Sequence, residues 1–171
     1  MRIFLIGLPG SGKTYLGKLW AEDNGLLFYD LDELIEQEER MSVEKIFALN
    51  GEDYFREKEA AVLRNTDRFE NCIVACGGGT PCFFDNAEWM NRNGVTVFLD
   101  EDRETILHHL LNDKKIRPLV QGKDAGELKQ YLEFKYTERF PFFRRCQITL
   151  LPEQLNRTGF DHIINNNEQH A

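Results

Sequence analysis

Eight consecutive residues, Gly7-Leu8-Pro9-Gly10-Ser11-Gly12-Lys13-Thr14, carry the densest chemistry in the chain. Glycines at this spacing let backbone wrap closely around a polyphosphate and turn several N–H groups inward. Lys13 supplies a point charge near the terminal phosphates, and the Thr14 hydroxyl is placed to ligate Mg²⁺. A helix starting here also points its positive end at the anion. Gly10, Ser11, Gly12, Lys13 and Thr14 are therefore the candidate nucleotide-binding set. The bland alternative is a glycine turn joining a strand to a helix. Lys-Thr after the last glycine has no purpose in such a turn.

Further residues could complete a transfer reaction. Asp30 and Asp32 follow a short apolar run, and their i, i+2 spacing puts both carboxylates on one side if the chain stays extended. One could hold Mg²⁺ through water, and the other could orient or deprotonate a hydroxyl. The competing reading makes Asp32 the cap of a helix beginning Asp32-Glu33-Leu34-Ile35. Gly77-Gly78-Gly79 follows another apolar run and would let backbone approach a ligand. Arg56 has Glu52 and Glu59 at helical spacing, so both can brace its guanidinium for a bidentate grip on a carboxylate. Arg117 lies in a polar, glycine-bearing stretch, where a mobile arginine could reach a γ-phosphate. Arg139 is flanked by aromatics, which favours either partial burial with a defined anion or a cation–π pair. His108, His109, His162 and His170 lack metal-ligand spacing, and most are expected to serve the surface.

The elements that must position these residues are legible in the apolar pattern. Strand-like runs fall at Arg2–Ile6, Leu27–Tyr29, Cys72–Cys76, Val95–Leu99 and Gln147–Leu151. Helical runs lie between them, the first carrying Leu16, Leu19 and Trp20 on one face. Continuous apolar strands alternating with amphipathic helices indicate an α/β fold with a parallel sheet covered on both faces. Residues 31–66 hold helical pieces, one opened by Ser42 and a longer one from about Glu52. Residues 112–126 have loop composition, and loops of this length are often active-site lids. The tail Asn165–Ala171 looks frayed.

Composition bounds the rest. The 171 residues suit one domain, spanning 1–171, and no linker or repeat divides them. A net charge of −8 argues against a nucleic-acid partner and requires the few cations to gather locally around any anionic ligand. No run reaches membrane-spanning length, and no basic segment precedes a secretory core. The four cysteines, Cys72, Cys76, Cys82 and Cys146, form no CxxC pair and read as reduced thiols, which fits the cytoplasm.

Taken together, these residues resemble the shikimate kinase family of phosphate-loop proteins. The similarity runs from Arg2 to about Leu151. Its parts are the early phosphate loop, Asp30-x-Asp32 with Ile35-Glu36, Ile46-Phe47, and Gly51-Glu52-x-x-Phe55-Arg56-x-x-Glu59. Gly77-Gly78-Gly79, Arg117-Pro118-Leu119 and Arg139-x-Pro141 follow in order. The resemblance implies a three-layer α/β/α phosphate-loop kinase fold with five parallel strands in the order 2-3-1-4-5. A lid at about 112–126 and a substrate-binding segment at about 31–66 would close on ligand. It also implies transfer of the ATP γ-phosphate to the 3-hydroxyl of shikimate with Mg²⁺. Arg56 and Arg139 would grip the shikimate carboxylate. Asp32 and Gly77, Gly78 and Gly79 would hold its ring hydroxyls. Asp30 and Thr14 would support the metal, and Arg117 would contact both substrates. Lys13, Asp32 and Arg117 are the implied catalytic set, and family members are commonly monomers.

The chain departs from the family in one place. An arginine that stacks on adenine often precedes the lid, and here the segment is His108-His109-Leu110-Leu111. The matching position is Leu110, so adenine is expected to rest on apolar contact or a nearby histidine. Two rivals stay open at this stage. One is another small-molecule kinase on the same scaffold, acting on gluconate or a nucleoside monophosphate. The other is a binding module that has lost turnover.

Overall fold

A computed structural model describes residues 1–112 and 123–170, with side chains through residue 167. Arg117 and most of the expected lid lie outside the described residues. The sheet strands are β1 (Arg2–Ile6), β2 (Leu27–Asp30), β3 (Cys72–Ala75), β4 (Val95–Leu99) and β5 (Ile148–Leu150). All pair in parallel in the order β2-β3-β1-β4-β5, as the resemblance implies. β1 sits at the centre, with Ile3 opposite both Ile73 and Val95.

The helices are α1 (Lys13–Asn24), α2 (Leu31–Glu39), α3 (Val43–Asn65), α4 (Asn86–Asn93), α5 (Arg103–Asn112), α6 (Ala125–Phe143) and α7 (Gly159–His170). They divide between the two faces because side chains alternate along a strand. Ile3 and Leu5 of β1 join Ile73, Val95 and Val97 in a core covered by Leu16, Trp20 and Ala21 of α1 and Phe160 and Ile163 of α7. Leu19 of α1 is only half-buried. Phe4 and Ile6 join Val74 and Phe98 in a second core, covered by α2, α3, α5 and α6. The strands are apolar almost throughout because both faces are roofed.

One expectation changes here. The tail expected to fray is the end of α7, which runs to His170. Phe160 and Ile163 anchor that helix against α1, and Trp20 Nε1 donates to Asn156 O at 2.9 Å just before it. The helical pieces expected from Ser42 and from about Glu52 are both present in α3, divided by a kink at Gly51, whose φ of 81° no straight helix allows. Ser42 caps its start by accepting from Lys45 N–H at 3.3 Å. The kink sets Arg56 and Glu59 on the second piece, beside the carboxyl ends of β2 and β3. A capping box at Asp124 and Glu127 opens α6, so the C-terminal edge of the expected lid segment is already helix.

Candidate active site

One cleft of about 800 Å³ lies at the carboxyl ends of β1, β2 and β3. That is where open parallel sheets bind ligands. One end is the phosphate loop. Gly10 and Gly12 adopt φ values of 85° and 89°, left-handed conformations that glycine reaches without steric cost. Gly12 is the N-cap of α1, so the helix starts with its free N–H groups facing the loop. The Lys13 ammonium donates to the carbonyls of Gly7 and Leu8 at 2.9 and 2.8 Å, which holds it over the loop.

The next residue, Thr14, donates its hydroxyl to Asp30 Oδ2 at 3.0 Å. Two hard oxygens thus meet beside the phosphate cradle, the donor type Mg²⁺ requires. The extended chain expected through Asp30 and Asp32 does not persist, because α2 begins at Leu31. Asp30, not Asp32, is the cap of α2, accepting from Asp32 N–H at 3.1 Å. The turn still leaves both carboxylates lining the cleft. Capping therefore frees Asp32 from a structural duty. Its carboxyl is pushed up to about 6, chiefly by burial and then by the charges of Asp30 and Glu59, with Lys13 opposing. A carboxyl at that value ionises near neutrality and can take up a proton there.

At the other end of the cleft, three consecutive glycines each face a different functional side chain. A methyl built on Gly77 would stand 2.9 Å from Glu59 Oε1 and 3.4 Å from Asp32 Oδ1. On Gly78 it would meet Arg139 Nη1 at 2.9 Å and Pro9 Cδ at 2.8 Å. On Gly79 it would meet Arg56 Nη2 at 2.8 Å. Any side chain at these positions would displace the groups that make the site. Because Pro9 belongs to the phosphate loop, the same contacts join the two ends of the cleft.

Arg56 is held on several sides. Its Nε and Nη2 donate to Glu52 Oε1 at 3.1 and 3.0 Å, and Nη1 donates to Glu59 Oε2 at 2.9 Å. The Phe83 ring lies 4.2 Å from the guanidinium carbon. Of the five N–H donors on a guanidinium, one on each terminal nitrogen is left over, the fork that fits a carboxylate. Burial opposes the charge, but Glu59 and Glu52 outweigh it and raise the group above its ordinary value. Glu59 is fully buried and accepts a second bond, from the Thr80 hydroxyl at 2.6 Å. Arg139 is 7 % exposed and forms no ion pair with a carboxylate among the described residues. A buried cation so placed calls for an anionic ligand.

The structure therefore brings Lys13, Thr14, Asp30, Asp32, Arg56, Gly77, Gly78, Gly79 and Arg139 into one cleft. Arg117 lies outside the described residues. Glu59 was foreseen as a brace for Arg56, but its bond to Thr80 carried no spacing signal. The α5 end packs against the phosphate loop. Leu110 is buried against the phosphate loop, where a methyl on Gly10 would meet its Cγ at 3.0 Å, so it supports the loop from below. His108 and His109 are exposed, as expected, and also line the cleft. His109 Nδ1 lies 2.9 Å from Gly10 O, and since a carbonyl only accepts, Nδ1 carries the proton. All four cysteines are free, with burial raising their thiols, Cys82 to about 11.

A nucleotide cradle at a parallel-sheet edge, facing a cation-lined acceptor pocket, defines a small-molecule kinase of the phosphate-loop class. Comparison with known proteins narrows the class. The sequence model of the family described as shikimate kinase matches residues 9–167. A shikimate kinase of Bacteroides fragilis is 41% identical over 155 residues, covering 91% of this chain and 87% of that protein. One from Phocaeicola vulgatus is 42% identical over 90% of this chain and 88% of its own length. Among solved structures, the shikimate kinase of Bacteroides thetaiotaomicron superposes with a TM-score of 0.86 at 40% identity, covering 89% of this chain and 86% of that one. That of Acinetobacter baumannii, solved in complex with shikimate, gives 0.85 at 29% identity over 96% and 93%. The chain belongs to the shikimate kinase family.

Proposed function

We infer that the chain transfers the γ-phosphoryl group of ATP to the 3-hydroxyl of shikimate, giving shikimate 3-phosphate and ADP, a step of aromatic amino-acid biosynthesis. The observation that carries this reading is the meeting of Arg56 and Arg139 on adjacent glycines, one of which also touches the phosphate loop. An acid gripped there by its carboxylate presents its hydroxyls toward Lys13 and the terminal phosphate.

Phosphoryl transfer asks the protein for positioning and charge neutralisation. The glycine loop and the start of α1 hold the phosphates. Lys13 leaves its loop carbonyls for the phosphate oxygens and stabilises charge that grows on them. The acceptor oxygen forms a bond to phosphorus as the bridging oxygen of the β-phosphate departs with ADP. The acceptor proton passes to Asp32, whose raised value suits it as the base. Thr14 and Asp30 would hold Mg²⁺, which when bound neutralises the β- and γ-oxygens. By the family resemblance Arg117 would contact both substrates, and the chain works as one domain and a monomer in the cytoplasm.

Gluconate is also a polyhydroxy acid, so acceptor choice is the deciding measurement. With ATP and Mg²⁺, release of ADP is expected with shikimate and not with gluconate or a nucleoside monophosphate. Rapid turnover of gluconate with none of shikimate would end this reading. Nucleotide binding without ADP release would favour a module that has lost turnover.

A further inference from the structure

Tyr131 stands on α6 about two turns before Arg139 and lines the same cleft. Its hydroxyl oxygen is buried and has no hydrogen-bond partner among the described residues. Asn91 Oδ1 and Thr96 Oγ1 share that condition, but neither residue lines the cleft. The contrast within α6 is direct. Tyr136, one turn further on, is partly buried and directs its hydroxyl at the Asp100 carboxylate, 3.3 Å from Oδ1. A buried polar group without a partner is costly, and native proteins pair nearly all of them. Among the described residues no packing partner answers the cost at Tyr131.

The surroundings state what kind of partner is missing. Lys123 Nζ lies 5.6 Å and Lys135 Nζ 6.0 Å from the centre of the Tyr131 ring. Lys135 is already paired with Glu138 Oε2 at 2.6 Å, but Lys123 beside the ring and the buried Arg139 in the same cleft favour a negatively charged acceptor for the phenol proton over a neutral hydroxyl. We propose that Tyr131 is a substrate-contacting residue, its phenol donating to an anionic oxygen of a molecule bound in the cleft. Both the ATP phosphates and the shikimate carboxylate offer such oxygens. The inference rests on the kinase reading above and adds to the site a residue from a helix so far represented by Arg139 alone.

Tyr131→Phe keeps the ring and removes only the hydroxyl. Each substrate is titrated against wild type and variant with the other saturating. In parallel, the melting temperature is read without ligand, with ATP alone and with shikimate alone. The expected result has two parts. The KM of one substrate rises by about five- to thirtyfold, and the stabilisation that substrate gives in the melt shrinks. The unliganded melting temperature stays level or rises, because the orphaned group is gone. A change confined to ATP assigns the bond to a phosphate, and a change confined to shikimate assigns it to the carboxylate. KM values within twofold together with unchanged ligand-induced shifts would overturn the proposal. A lower unliganded melting temperature would also overturn it, since the hydroxyl would then have had a partner in the free protein. Wild-type turnover measured alongside tests the kinase reading separately, and the melts decide Tyr131 from binding alone.

Discussion

The two ends of the cleft are built in opposite ways. The phosphate end is one unbroken run, residues 7–14, whose geometry comes from backbone: left-handed glycines and the free N–H groups of α1. The acceptor end is assembled from side chains far apart in sequence. Asp32 comes from α2, Arg56 and Glu59 from α3, Arg139 from α6, and the glycine triplet from the loop after β3. The first end takes its shape from its own strand and helix, with Leu110 and His109 of α5 packed against it. The second is held by a buried ion-pair network that exists only when the elements are packed. The phosphate end should therefore lose chemistry when altered and keep its fold, while breaking the Arg56–Glu59 pair at the acceptor end should lose fold and affinity together.

The largest expected effect tests the junction of the two ends. Asp32→Asn should lower kcat by about 10²–10⁴-fold, the usual worth of a positioned base. In the wild type, kcat/KM should fall below about pH 6, where Asp32 takes up its proton. That acid limb should vanish in the variant, and its survival would remove Asp32 from the role. Next, Lys13→Ala should lower kcat by about 10²–10³-fold, as loss of one preorganised charge does, with the KM for shikimate little changed. A large rise in that KM would blur the division between the ends.

The third test strikes the network. Glu59→Gln leaves Arg56 buried beside a neutral amide and should cost roughly 3–5 kcal/mol of stability, read by denaturant unfolding. The KM for shikimate should rise more than that for ATP. An unchanged stability would show that the acceptor end is not held by this pair. Fourth, Arg139→Lys should raise the KM for shikimate roughly tenfold, since an ammonium cannot reproduce the fork. Equal effects on both substrates would contradict its assignment to the acceptor end.

The smallest expected effect concerns the free protein. The folded value of Asp32, about 6, lies above its ordinary 3.8, so folding favours the protonated form. Its contribution is fully present below pH 3.8 and is lost as pH rises through about 6. Asp32→Asn mimics the protonated form, so unliganded variant and wild type should melt alike below pH 3.8. Above pH 6 the variant should melt a few degrees higher. A gap of the same size at both ends of the pH range would mean that Asp32 is not strained by its surroundings.

Legibility followed the same division. Lys13 and Thr14 could be assigned from adjacent residues alone, and β1 and β4 have the bounds their apolar runs indicate. Local pattern failed where a partner lay elsewhere in the chain. The polar tail looked frayed because its anchors, Phe160 and Ile163, gain meaning only against Trp20. Leu110 is a departure from the family pattern in sequence, and its burial against Gly10 shows only in the packed structure. The sequence offered Asp32 as the cap of α2, and only the turn at Leu31 gave that duty to Asp30.

From its residues in order, the chain determined that it binds a polyphosphate, because that loop is one contiguous run, and that its sheet is parallel, because continuous apolar strands alternate with amphipathic helices. Only packing decided what shares the cleft with that phosphate. Guanidinium groups and carboxylates separated by tens of residues acquire direction when helices lock them against one another. Burial then sets their charge states, a property that no stretch of sequence holds by itself.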